Sequence, residues 1–450
     1  MNTDLSRRGF LFGGGALAVA GCATVEAKET AKPAPVREGE IDADKPLVVG
    51  EPCLQNAAET TMCVCWRVNS LANGWVEYGR DPELKDARQE GCEGPVGVTG
   101  FDALCLRVRL QGLSPATKYY YRTVTTKIVY HDNYHRETKE TVKGAIHSFT
   151  TIGAAAKAHF CVISDTHEQW DQFAALTSKI RSLNPSVTVW NGDAANMTEN
   201  AEQAVRIFLD PPKSTGYASD IPLLWNDGNH DFRGIWNRYM ERFMMVRTPS
   251  ERDSRDWALT RNWAVRLGEV AMIGLDTGED KPDAHPQFCG LVRAEAYRVA
   301  QVAWLKDALE RPEIKSAPYL VAFCHIPLFD PDPRENPGDL VGNGGGKYNT
   351  DYAHWQKPCR DLWMPHLEKA KVTLVVSSHR HRYRFDPADA NRPWPQIVTG
   401  GCGNNRKSGV YPTVVEGKVE GGRLKLTVYD ILQGTVAGKH AFGPREGLRR

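Results

Sequence analysis

From His159 onward this chain repeats one arrangement: a short apolar run stops abruptly and a polar cluster follows at once. His159–Ile163 ends at Ser164-Asp165-Thr166-His167, and Val187–Trp190 ends at Asn191-Gly192-Asp193. Ile221–Trp225 ends at Asn226-Asp227-Gly228-Asn229-His230-Asp231. Pro318–Cys324 gives way to His325-Ile326-Pro327, and Val372–Val376 to Ser377-Ser378-His379-Arg380-His381. Runs of this length read as buried strands, and helical stretches over 170–182, 201–209, 295–309 and 352–368 separate several of them. In the stretch 295–309, Val299, Val302, Leu305 and Leu309 share one side at helical spacing. Strand, helix, strand in this rhythm demands crossover connections, and so a layered α/β architecture. In that architecture the carboxyl ends of the strands form the rim where ligands bind. Strand character returns from Gln396 to Val436 and completes a second sheet.

Before Gly153 the pattern differs. Thr61–Val68, Gly74–Tyr78, Cys105–Leu110 and Tyr119–Val124 alternate with period two between turns such as Gly112–Thr117. This predicts an all-β sandwich over 45–152 ahead of an α/β domain over 153–450. No catalytic cluster falls within the sandwich, and His131 and His135 lie in a polar insertion that reads as surface.

The first 22 residues read as a signal. Ser6-Arg7-Arg8-Gly9-Phe10-Leu11 resembles a twin-arginine export motif, and the apolar segment Gly9–Gly21 is too short to span a bilayer. Val19-Ala20-Gly21-Cys22 resembles a lipoprotein cleavage box. The expectation is export to the periplasm or cell envelope with a lipid anchor on Cys22; cleavage near Ala27 would instead release a soluble protein. Residues 23–44, rich in Ala, Pro, Lys and Glu, read as a flexible tether. Beyond Cys22, ten cysteines remain, with no CxxC pair that would suggest a zinc ribbon. In an oxidising compartment, one or two bridges are expected among Cys53, Cys63, Cys65, Cys92 and Cys105, whereas Cys161 and Cys324 sit in apolar runs as small buried side chains. A net charge of +1 supplies no global field for nucleic acid, so none is expected as a partner.

Taken singly, each polar cluster also reads as an ordinary turn or helix cap. Taken together, they offer four histidines, two aspartates and an asparagine, a mixed nitrogen and oxygen set suited to hard or borderline ions. Asp165 and His167 stand two apart, so in extended chain their side chains leave on one side and can grip one ion, and the same spacing aims the imidazoles of His379 and His381 one way. His230 beside Asp231 reads as a proton donor with the carboxylate that orients it.

In order, Asp-x-His, Gly-Asp, Gly-Asn-His-Asp, His and His-x-His resemble the calcineurin-like metallophosphoesterase superfamily over about 160–435. The front segment resembles the fibronectin type III-like domain of purple acid phosphatases, on Val76-Glu-Tyr-Gly79, Leu110–Tyr121 and Ser148-Phe-Thr-Thr151. The resemblance implies the metallophosphoesterase fold, a layered β-sandwich flanked by helices, and a dinuclear centre. Asp165, His167 and His381 would hold one metal, Asn229, His325 and His379 the other, with Asp193 bridging them. The two ions would be divalent or trivalent: iron, manganese or zinc. His230, with Asp231, would face the substrate and assist the leaving group while a hydroxide bridging the ions attacks phosphorus.

Three positions depart from the pattern. Purple acid phosphatases have a tyrosine ligand three residues after the aspartate of Gly-Asp, where this chain has Asn196; they lack the histidine that is His167 here. Without tyrosinate no purple colour is expected. The glycine that usually precedes the last His-x-His is Ser378. The implied activity is metal-dependent hydrolysis of phosphate esters on a small molecule or headgroup. Two alternatives stay open: a phosphodiesterase acting on cyclic nucleotides, nucleotide-sugars or phospholipid headgroups, and a surface-anchored binding protein with a vestigial metal site. Arg233, Arg334, Lys347, Tyr348, Asn404 and Arg406 are candidates for phosphate contact, and the long loop 328–350 for a lid.

Overall fold

The alternating runs of the first segment form nine strands in this computed structural model. They are β1 (Val48–Gln55), β2 (Met62–Val68), β3 (Ala72–Gly79), β4 (Arg88–Gly91), β5 (Phe101–Asp102), β6 (Cys105–Leu110), β7 (Lys118–Tyr130), β8 (Arg136–Lys143) and β9 (His147–Thr150). Next come β10 (His159–Ile163), α1 (Trp170–Leu183), β11 (Val187–Asn191), α2 (Ala201–Phe208) and β12 (Leu223–Asn226). Then follow β13 (Trp263–Leu267), β14 (Val270–Leu275), α3 (Ala294–Glu310), α4 (Pro312–Lys315), β15 (Tyr319–Cys324), α5 (Ala353–Lys369) and β16 (Leu374–Ser377). The last strands are β17 (Arg384–Asp386), β18 (Gln396–Val398), β19 (Thr413–Glu420), β20 (Arg423–Asp430) and β21 (Thr435–Phe442). The structure describes residues 46–94, 97–132, 134–244, 259–329 and 353–447. The signal, the tether, Cys22 and residues 330–350 with Arg334, Lys347 and Tyr348 lie outside them, as does the side chain of Arg406. Among the described residues no helix is long and apolar enough to cross a membrane.

Three sheets result. One runs β21-β20-β19-β10-β11-β12-β1-β2-β6, a second β13-β14-β15-β16-β18-β17, and a third β4-β3-β7-β8, with β5 and β9 alongside. The strands β10, β11 and β12 are mutually parallel, as are β14, β15, β16 and β18. In β10, Phe160 and Val162 point into the layer shared with Met272, Val321, Phe323 and Val376 of the second sheet. Their neighbours Cys161 and Ile163 pack on the other face with Phe173, Leu176 and Ile180 of α1. Burial on both faces is why these strands are apolar throughout rather than alternating. On the far side of the second sheet, Trp304 and Leu305 of α3 and Trp363 and Leu367 of α5 cover Ile273, Ala322 and Val375.

The first segment shares the long sheet. β1 lies parallel to β12 with Gln55 opposite Leu223, Leu54 N donates to Ala218 O (2.9 Å), and Asn56 N donates to Leu223 O (2.8 Å). The change of sequence pattern at Gly153 is therefore not a break in hydrogen bonding. β1, β2 and β6 form one layer of a sandwich with β3 and β7, and at the same time extend the sheet that carries β10–β12.

Two expectations are corrected here. On α3 the buried side holds Arg298, Gln301, Trp304, Leu305, Ala308 and Leu309, while Val299 is 57% exposed. Polar side chains take the inward positions because the loop after β14 needs partners. Gln301 receives Asp276 N at 3.0 Å and donates to Asp276 O at 2.7 Å, and Arg298 Nε donates to Thr277 O at 2.8 Å. Nor do the front cysteines form bridges: Cys53, Cys63, Cys65, Cys92 and Cys105 are all buried free thiols. Four of them belong to the apolar layer beneath Phe208 and Tyr217, where burial pushes Cys53 and Cys63 up to about 12. His131 and His135 are exposed, against Glu137 and Asp132, as their polar surroundings predict.

Candidate metal centre

Each candidate ligand stands where a parallel strand ends. Asp165 and His167 follow β10, Asp193 follows β11 and Asn229–Asp231 follow β12 from the long sheet; His325 follows β15 and His379 and His381 follow β16 from the facing one. Stacking the two sheets brings both sets of strand ends to one rim. All seven candidate ligands meet there.

The local backbone differs from the extended form expected for the i, i+2 pairs. Asp165 (φ 48°), His167 (43°), Asp193 (54°), His379 (68°) and His381 (54°) are all left-handed. Non-glycine residues in this region cost on the order of 1–3 kcal/mol each, and persist only where their surroundings enforce them. Here the loops hold one another. Asp165 N donates to Gly192 O (2.9 Å), His167 N to Asp193 O (3.1 Å), Cys402 N to Asp165 O (2.8 Å) and Ser378 N to His325 O (2.7 Å). Gly192, at φ 89°, passes so close to His325 that a Cβ would lie 2.5 Å from its Nδ1, and a Cβ on Gly228 would strike the Asp193 main chain. Ser378 is absorbed without strain, since its Oγ accepts from Asn191 Nδ2 (2.8 Å) and from Thr399 Oγ1 (3.0 Å).

Ligand atoms of Asp165, His167 and His381 lie within 4.8 Å of one another, and so do those of Asp193, His325 and His379. A third, overlapping group joins His167, Asp193 and His230. Asn229 reaches the second group through Oδ1, 2.9 Å from His379 Nδ1. Asp193 is divided between the groups: Oδ1 accepts the main-chain N–H of His230 (2.8 Å), while Oδ2 lies 3.2 Å from His325 Nε2 and 3.5 Å from His167 Nε2. Neighbouring hydrogen bonds set the tautomers. His325 Nδ1 donates to Asn191 O (2.8 Å) and His381 Nδ1 to Cys402 O (3.2 Å), so each ring turns its Nε2 inward. His325 Nε2 is wholly buried without a hydrogen-bonding partner. A buried ring nitrogen facing carboxylate oxygens marks a place for positive charge, which a proton or a metal cation would fill. The donor set fits metal ions.

The charges agree. Burial works against a proton on His325, yet the Asp193 and Asp165 carboxylates outweigh it and raise the imidazole to about 10. His167 goes the other way: burial lowers it to about 4 despite Asp193. His379 is also held low by burial and by the His325 charge. Of three close imidazoles the carboxylates protonate one, a place a metal cation would take over.

Residues 158–383 match the family model described as calcineurin-like phosphoesterase. The chain belongs to that family. Residues 52–152 match the model of the purple acid phosphatase N-terminal domain. Two similar proteins are purple acid phosphatase 22 of Arabidopsis thaliana, 24% identical over 74% of this chain and 66% of its own length, and purple acid phosphatase 21 of the same plant, 22% identical over the same shares. The chain thus spans just under two thirds of these relatives. Among solved structures, purple acid phosphatase PPD1 from yellow lupin (Lupinus luteus) superposes with a TM-score of 0.58 at 13% identity, covering 87% of this chain and 73% of that one. That likeness shows the fold.

Within this calcineurin-like site, two residues do something other than their sequence suggests. Asp231 does not touch His230. Its Oδ2 accepts from Asp193 N and Gly228 N, both at 2.8 Å, and its Oδ1 from Ala194 N at 3.2 Å. Burial and the nearby Asp193 and Asp227 carboxylates push its pKa up, but its partners are all N–H donors, which only the ionised form satisfies on both oxygens. Asp231 is a clasp between two loops. The His230 ring is oriented instead by the main-chain carbonyl of Asn196, 2.8 Å from Nδ1. Asn196 itself, at the tyrosine position of the purple enzymes, turns its side chain to His167 O at 3.5 Å.

Arg233 is the candidate phosphate contact that the structure brings to the rim. Its Nη1 lies 3.0 Å from His230 Nε2, and Glu279 and Asp280 hold its other nitrogens. Sequence reading missed these two acids although its own rule covers them, since Asp276-Thr-Gly-Glu-Asp280 follows the apolar run of β14 directly. Asn404 is exposed, with no contact to the centre among the described residues.

Proposed function

We propose that this chain hydrolyses phosphate esters at a dinuclear metal centre, with Asp165, His167 and His381 on one ion, Asn229, His325 and His379 on the other, and Asp193 shared. The observation that carries this reading is the placement of Asp193 Oδ2 between His325 Nε2 and His167 Nε2, with Oδ1 already engaged by the His230 amide. Two ions held there supply Lewis-acid chemistry, activating water at neutral pH and offsetting phosphoryl charge. The ions expected are iron, manganese or zinc.

The chain's own part is positioning and proton management. His230 stands with its ring edge-on to His167, centroids 4.7 Å apart, at the mouth of the cluster. Asn196 O holds Nδ1–H, so the proton that a leaving oxygen would take sits on Nε2 and is carried by the imidazolium form. Burial and the Arg233 guanidinium lower its pKa, with Asp193 opposing. Leaving-group assistance of this kind is worth typically about 100- to 10,000-fold. Replacing His230 by alanine is therefore expected to keep the metals and lose turnover by that order, most for poor leaving groups. Steady-state rates on aryl phosphates of graded leaving-group pKa check this, and unchanged rates would remove His230 from the mechanism. The same reading includes export by the twin-arginine-like signal at Arg7 and Arg8 with anchoring at Cys22, which supports an extracytoplasmic substrate.

A further inference from the structure

We propose that Arg233 contacts the substrate phosphoryl group and makes the centre prefer phosphate monoesters to diesters. This rests on the phosphoesterase reading above. Arg233 is held from behind on two of its three guanidinium nitrogens. Nε donates to Glu279 Oε1 (2.7 Å), and Nη2 to Glu279 Oε2 (3.2 Å) and Asp280 Oδ1 (3.1 Å). The loop bearing these acids is itself anchored by α3. Arg298 donates to the carbonyls of Thr277 and Glu279, and Gln301 brackets the main chain of Asp276. Such a fork holds the guanidinium in one orientation before any ligand arrives.

The third nitrogen, Nη1, faces the metal cluster. It lies 3.0 Å from His230 Nε2 and 3.3 Å from Nδ1. Nε2 is the nearer nitrogen and, in the neutral ring, the one with a lone pair to accept. Nδ1, moreover, is already bonded to Asn196 O. Nη1 carries two N–H groups, of which Nε2 can take one and the N–H-bearing Nδ1 none, so the other is left for a ligand. The ring it rests on packs against His167, and a His230 nitrogen lies within 4.8 Å of ligand atoms of His167 and Asp193. The Arg233 side chain is 20% exposed, enough for a ligand to reach it.

Charge favours the same role. Lys281 Nζ pairs with Asp280 at 2.6 Å, and burial raises Glu279 to about 7 against the pull of Arg233. The acids that fix the guanidinium thus do not cancel its charge fully at neutral pH. A monoester presents three terminal oxygens and about two negative charges at that pH; a diester presents two oxygens and one charge. An oriented, charged donor beside the metal cluster has more to gain from the first.

The test uses the full-length, metal-loaded protein and its R233A and R233K variants. Readouts are kcat/KM on p-nitrophenyl phosphate and on bis(p-nitrophenyl) phosphate, calorimetric binding of inorganic phosphate, and metal content. In R233A the monoester kcat/KM is expected to fall about 10- to 100-fold further than the diester value, the range for one lost charge-assisted hydrogen bond. Phosphate binding should weaken in parallel at unchanged metal content, with R233K intermediate. Equal losses on both esters, or unaltered phosphate affinity, would overturn the proposal. Should R233A lose metal, R233Q is read by the same criteria. Wild-type protein inactive on both esters with every metal would sink the phosphoesterase reading instead, and the phosphate titration would still decide the part of Arg233.

Discussion

Replacing Asp231 by asparagine separates an orienting role in catalysis from a structural one. The carboxylate accepts three good main-chain hydrogen bonds, from Gly228 N, Asp193 N and Ala194 N. An amide has one accepting oxygen. If it keeps the two 2.8 Å bonds on the Oδ2 side, its NH2 faces Ala194 N–H and leaves that buried donor unsatisfied, at a cost of about 1–3 kcal/mol. The two retained bonds lose their charge assistance, roughly half their strength, which adds about 1–2 kcal/mol. The sum is on the order of 3 kcal/mol, or roughly a hundredfold in an equilibrium constant. The loss falls on the segment that presents Asp193. The expected phenotype is a lowered urea midpoint in metal-free protein and weaker metal binding, with turnover at saturating metal close to that of the parent. Urea unfolding followed by tryptophan fluorescence, metal titration, and kcat measured across metal concentrations give the three quantities. A variant with parental stability and metal affinity but a hundredfold lower kcat would refute the clasp and restore Asp231 as the orienter of His230.

Two further outcomes follow from the charges and the thiols. Because Asp193 and Asp165 outweigh burial and hold His325 protonated up to about 10, metal entry below that pH must expel this proton. Calorimetry in buffers of different ionisation heat should show about one proton released on its account near pH 8, fading as pH rises through the histidine's pKa; a release independent of pH would contradict the arrangement. The ten described cysteines are free and only Cys289 is exposed, so a thiol reagent without reductant should label one of them in the native protein and all ten after denaturation. A shortfall of two would reveal a bridge.

Much of the site was legible because strand ends announce themselves locally. An apolar run buried on both faces must break into polar residues where it leaves the core, and Asp165, His167, Asp193, Asn229, His325, His379 and His381 all stand at such breaks. Strand and helix limits could be read for the same reason: periodicity and turn residues act over a few positions. Side-chain direction was harder. Asp165 and His167 do fall in one ligand group, through left-handed backbone enforced by neighbouring loops rather than through extended chain, whereas His379 and His381 part between the two groups. Val299 faces outward because Arg298 and Gln301 are needed inside to hold the loop after β14.

What the amino-acid order determined alone is therefore the set of chemical groups, the strands that carry them and the rim on which they gather. Only the tertiary structure decided which group serves which. Asp231 is adjacent to His230 in the chain yet bonds to the amides of Gly228, Asp193 and Ala194, and Arg233 finds its carboxylates 46 and 47 positions away. Hydrogen bonds are directional and short, so partners are chosen by how loops stack at the sheet ends, and covalent adjacency carries little information about that stacking.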